Sequence, residues 1–216
     1  MASNDADDDS GADVAAEDPD GATETPLAGG STPDIDDGPD DGDTPYGIGI
    51  ASGLAAWLVG YLAFYLRYSG EIRGSAAETA LNAMSGGDSV WAAVGWVFYN
   101  GHFVTTNVDV PVFGSSAMNF LRDGAVLPHL AAPVLLLLGG AVVGYAARTH
   151  GPGDAAVTGL LLVPGYLVLS TVGVFLFEVS GNGASVGPDP VTGILLAGLV
   201  YPAVFGAVGA LLGDQL

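Results

Sequence analysis

Read along its hydropathy, the chain alternates five uncharged stretches with short polar gaps. The stretches run from Tyr46 to Leu66, Ser89 to Val108, Gly124 to Ala147, Ala155 to Phe177 and Pro190 to Gly213. Each is close to the ~20 residues a helix needs to cross about 30 Å of hydrocarbon. An Asp, Lys or Arg at the centre of such a helix costs about 2.5–3.5 kcal/mol on the insertion scale, so the exclusion of charge from these windows has physical weight. The pattern predicts an all-α fold, an integral membrane helical bundle of 4–5 transmembrane helices.

The first stretch ends in Tyr61, Tyr65, Arg67 and Tyr68, residues suited to a headgroup boundary, and carries Gly49, Gly53, Ala56 and Gly60 on one face. Stretches three, four and five are leucine-rich, and each contains a proline: Pro133, Pro164 and Pro202. A proline inside a span frees a carbonyl and bends the helix, which is tolerated where neighbours satisfy it. Gly140 with Gly144, and Gly209 with Gly213, fit the small-xxx-small spacing of close helix packing, without naming a partner. The second stretch differs, because Asn100, His102, Thr105, Thr106 and Asn107 make its latter half polar. Spanning, re-entry and an interfacial position are all compatible with it, and its length favours a span over 89–108.

Residues 1–45 are of another kind. They hold fifteen acids and no Lys or Arg, lack aromatic residues, and are interrupted by five Pro and six Gly. Such a segment cannot bury enough apolar surface to offset its ordering entropy, so 1–45 reads as a disordered acidic tail ahead of a transmembrane domain over 46–216. It has no signal-peptide pattern, and Tyr46 onward reads as an uncleaved first span. Asp36, Asp37, Asp40, Asp41 and Asp43 do not form a calcium loop, because Pro39 falls where a ligand is needed.

The formal charge of -20 excludes nucleic-acid binding, which needs a basic face. The chain has no Cys, hence no disulfide, thiolate nucleophile or lipidated cysteine, and no Lys. Abundant Asp without Lys points to an extreme halophile. At about 1 M salt the Debye length is only ~3 Å, so the tail's self-repulsion is screened. With the tail outside, the arginines divide three to one in favour of the cytoplasmic side. With five spans that set is Arg67, Arg73 and Arg148; with four, Arg122 replaces Arg148.

Few residues invite chemistry. Gly183-Ala-Ser-Val-Gly187 has the spacing of a nucleophile elbow, but no His follows Ser185 and the motif sits in a Gly- and Pro-rich linker, so Ser185 reads as a flexible loop residue. His102, His129 and His150 show no metal-ligand spacing; His129 and His150 read as boundary residues. On a helix Tyr99, His102 and Thr106 share one face, beside Asn100. Together with Glu178, at the end of the fourth stretch, they are the candidates for a polar path. No catalytic, cofactor-binding or metal site is expected, and no cofactor.

The segment Ala93-Val-Gly-Trp-Val-Phe-Tyr-Asn-Gly-His-Phe-Val104, after a first span containing Leu58-Val-Gly-Tyr-Leu, resembles a family of small multi-spanning membrane proteins of haloarchaea without assigned function. The resemblance covers about Tyr46 to Leu216, and some members carry a loose transporter label. It implies a multi-pass protein of the cytoplasmic membrane and supplies no site residues. The expected function is therefore a non-enzymatic membrane subunit or scaffold, with the lipid bilayer and either membrane-protein partners or a second copy as its associates. The alternative is a small transporter or facilitator with a polar path near Asn100 and His102.

Overall fold

In a computed structural model the described residues are 44–112, 114–121, 126–149 and 151–216. Residues 1–43 of the expected disordered tail, with its Asp clusters, lie outside them, as do Arg122 and His150, whereas Thr44 and Pro45, placed in that tail by the sequence pattern, open the first helix.

Among the described residues four helices are long and apolar enough to cross a membrane: α1 (Thr44–Ile72), α4 (Val126–Ala147), α5 (Pro152–Leu176) and α6 (Pro190–Gly213). Between α1 and α4 come two short helices, α2 (Ala76–Ser85) and α3 (Val90–Asn100), then strands β1 (Thr106–Val110) and β2 (Gly114–Met118). Strands β3 (Val179–Gly181) and β4 (Ala184–Pro188) separate α5 from α6. The four strands form one antiparallel sheet in the order β2-β1-β4-β3.

Glycine contacts set the helix directions. Gly49 and Gly53 of α1 meet Leu161 and Leu162 of α5, and Trp57 meets Gly173, so α1 and α5 are parallel. Gly60 faces Leu135 while Gly139 faces Ser52, so α4 runs opposite to α1. Gly193 faces Val174 while Gly206 faces Gly159, so α6 runs opposite to α5. The four helices therefore alternate. The start of α1 and the end of α6 share one end of the bundle, and the sheet occupies the other.

The two small-xxx-small pairs lie on facing helices, each against the other helix's backbone. A Cβ on Gly140 would lie 2.3 Å from the Gly206 carbonyl oxygen, one on Gly144 2.2 Å from that of Ala210, and one on Gly213 2.1 Å from that of Ala141. The backbones of α4 and α6 thus touch where only glycine fits. These surfaces are spent inside the chain.

Two prolines leave local marks. Ahead of Pro164 the hydrogen bonds tighten to i→i−3, with Leu160 N–H on Val157 and Leu161 N–H on Thr158, which interrupts α5 at 160–161. Ahead of Pro202 the helix instead widens into a π-stretch over Gly193–Val200, and Tyr201 N–H bonds the Leu196 carbonyl. Pro202 has no N–H to give, and the wider ring moves the vacancy.

Three expectations need correction. The fold is not purely helical, because the polar gaps pair into a sheet. Ser185 is not a loop residue: it lies within β4, opposite Asp109 and Ser180. Nor is 89–108 one span. It is an 11-residue helix, a reversal and a strand, and at 1.5 Å per residue α3 is only about 16 Å long. Helix α2 was also absent from the hydropathy pattern. Its signal is Ser75-x-x-Glu78: Ser75 Oγ accepts from Glu78 N–H at 3.2 Å, Glu78 reaches back to Gly74 N–H, and Gly86 at φ 74° closes the other end.

Candidate functional site

Helix α3 enters the bundle from the sheet end. A Cβ on Gly95 would strike the Phe177 ring, Tyr99 reaches Ser170, and His102 reaches Tyr166. These contacts climb eleven residues of α5, roughly 16 Å of helix. The chain then reverses at Gly101–Val104 and returns as β1. It is a re-entrant segment, entering the helix bundle and leaving it by the same end, enclosed by its own protein. All of α3 except Trp91 is buried.

Aromatic rings fix its position. Phe98 packs edge-on against Trp57 and Phe64 of α1, and Phe177 stacks on Tyr61. The Trp96 indole N–H donates to the Phe177 carbonyl at 2.7 Å, and the Tyr61 hydroxyl donates to the Trp91 carbonyl at 3.0 Å. At the reversal Phe103 adopts φ 60°, unusual for a bulky residue, and turns outward against the His129 ring at 4.4 Å between centroids.

The polar residues of the segment separate into two hydrogen-bonded groups. In the first, Asn100 holds the reversal closed. Its Nδ2 donates to the Val104 carbonyl at 2.8 Å and to Thr106 Oγ1 at 3.2 Å, while its Oδ1 accepts from Phe120 N–H at 2.7 Å. In the second, Tyr99 and His102 tie α3 to α5. Tyr99 donates to the Ser170 carbonyl at 2.5 Å. His102 Nδ1 lies 2.9 Å from the Phe98 carbonyl and Nε2 lies 2.6 Å from the Tyr166 hydroxyl. A carbonyl only accepts, so Nδ1 carries the proton and, in the neutral ring, Nε2 accepts from Tyr166.

Tyr99, Asn100, His102 and Thr106 all have no exposed surface. Glu178 does not join them. It is exposed, between α5 and β3, and its backbone borders Gly187. The segment is tied to α6 by Asp189, whose Oδ1 accepts from Thr192 N–H at 2.8 Å and whose Oδ2 accepts from Asn107 at 3.0 Å. The Thr192 N–H, first among its partners, holds the Asp189 carboxyl below the usual carboxylate range.

Sequence reasoning missed Trp57, Tyr166 and Ser170, each an isolated polar group in a leucine-rich run. Among the described residues Ser170 Oγ is buried without a hydrogen-bond partner, next to the π-stretch, where Gly198 meets the Ser170 Cβ, while the Trp57 indole and the Tyr99 hydroxyl lie together beside Gly173. Among the described residues no three His, Cys, Asp or Glu side chains gather as a metal ion would require.

A bundle of four membrane-length helices around a buried re-entrant segment, capped by a small sheet, is the arrangement these residues define. The chain belongs to a family of unknown function (DUF7978), whose sequence profile matches residues 33–216. The match begins inside the acidic segment rather than at Tyr46. No curated protein and no solved structure matches the chain.

Proposed function

We propose that this protein is a four-span integral protein of the cytoplasmic membrane of a halophilic archaeon, acting as a non-enzymatic membrane subunit. The observation that carries the reading is the engagement of Tyr99, Asn100, His102 and Thr106 in bonds that hold the re-entrant segment shut. Side chains spent in this way build a rigid element rather than a reacting centre. The glycine faces of α4 and α6 are consumed internally, so a partner docks elsewhere. The sheet end offers β2, an edge strand exposed along its whole length and free of charge and proline.

With four spans and the tail outside, Arg67 and Arg73 fall on the sheet side, which the positive-inside rule makes cytoplasmic. The chain has no native Cys, so single-cysteine variants test this directly. Ala117→Cys in β2 and Gln215→Cys after α6 react with an impermeant maleimide from opposite sides of sealed vesicles. Labelling of both from the same side removes the four-span topology. Crosslinking in native membranes tests the subunit role, and recovery of the uncrosslinked monomer alone counts against it.

A second reading, a small facilitator, is favoured by Ser170 Oγ, buried without a partner among the described residues beside the π-stretch. Flux into proteoliposomes decides it. Ser170→Ala barely disturbs packing, and solute entry that ignores this substitution excludes the Ser170 hydroxyl from any path.

A further inference from the structure

A groove of about 960 Å³ lies at the sheet end, walled by the last turns of α1, by α2, by α3 and by the first turns of α4. Its size is within the ~300–1,000 Å³ range of small-molecule sites. Its floor is apolar, formed by Phe64, Leu81, Ala93, Val97 and Ala131. Its rim is polar: Arg67 lies 2.5 Å from Glu71 and 4.9 Å above the Tyr68 ring, with Ser75 beyond.

The division follows depth along α1. The uncharged run of α1 ends at Leu66, so the rim begins at the first charged residue, and Tyr68 stands where an interfacial aromatic is expected. The side towards α4 is open, with Val126 63% and Leu127 81% exposed. The one further polar side chain on the floor, Trp96, has its N–H committed to the Phe177 carbonyl. A water-soluble ligand would find no free polar group there. A partner helix would need a longer face, and α1 and α4 close on each other at Gly60 and Leu135.

We propose that this groove holds an aliphatic chain of a membrane lipid, its polar head against Arg67 and Ser75. The inference rests on the membrane reading above and adds a ligand to it. Apolar burial binds the chain, and the Arg67 guanidinium offers donors to a phosphate-bearing head.

The test is native mass spectrometry of the full chain released from mild detergent, titrated with dioleoylphosphatidylglycerol. The expected result is one dominant single-lipid adduct. Ala63→Leu with Ala77→Leu, both exposed positions that line the groove, lowers its occupancy about tenfold, a loss of roughly 1.4 kcal/mol. Ala55→Leu, exposed on α1 away from the groove, leaves it unchanged. Should the double variant fail to fold, Ala131→Leu replaces it. No dominant adduct in the wild type, or the same adducts in filled and control variants, overturns the proposal. Failure of the membrane reading looks different: the full chain would remain in the supernatant after high-speed sedimentation without detergent.

Discussion

Replacing Asn100 by alanine separates a structural from a transporting role for the re-entrant segment. The amide makes three bonds, and without it the Val104 carbonyl, the Thr106 hydroxyl and the Phe120 N–H lose their partner. Val104 and Thr106 have no exposed surface, so water cannot replace the amide there without entering the core. Phe120 is 46% exposed, and its N–H recovers part of the loss from solvent. With each orphaned buried group costing about 1–3 kcal/mol, and Phe120 discounted, the expected loss is about 2–4 kcal/mol. For a chain of this size that lowers Tm by roughly 5–15 °C. The assay is thermal unfolding in detergent followed by tryptophan fluorescence, with Thr106→Val as the comparison. The valine removes only the 3.2 Å bond and costs about 1 kcal/mol or less. An Asn100→Ala protein that melts within about 2 °C of the wild type refutes the reasoning. If it also loses solute flux, the amide belongs to a path.

The α4–α6 contact predicts that Gly144→Val, whose Cβ would lie 2.2 Å from the Ala210 carbonyl oxygen, destabilises by about 1–3 kcal/mol or more. Gly70→Ala, in α1 with nothing within 4 Å, stabilises by about 0.5–1 kcal/mol, and both are read from the same melting curves. Asp189→Ala removes the N-cap of α6 and costs about 0.5–2 kcal/mol, while Asp189→Asn keeps the cap and costs a few tenths. The pH dependence follows from the depressed Asp189 pKa: its stabilisation is complete above the unfolded carboxylate value of about 3.9 and is lost as pH falls through the folded value. The melting difference between wild type and Asp189→Asn should therefore be present at neutral pH and vanish on acidification.

Hydropathy alone located the four long helices, because exclusion of charge over about 20 residues is a local property that a window can detect. The same local physics marks the start of α6, where Asp189-Pro190 places an N-cap before a proline at the first helical turn. The polar run Tyr99–Asn107 was visible as unusual, and re-entry was among its open readings. What no window could show is that Tyr99 and His102 meet Ser170 and Tyr166 on a helix more than sixty residues away, or that β1 and β4 pair across α4 and α5. Strand pairing and the mating of Gly140 with Gly206, of Gly144 with Ala210 and of Gly213 with Ala141 depend on which backbones come to lie side by side. Short β-segments such as Ala184–Pro188 carry no periodicity strong enough to distinguish them from a linker. Burial of the segment's polar atoms is likewise decided only when the four long helices close around it, since a hydrogen bond's value depends on the water its surroundings exclude.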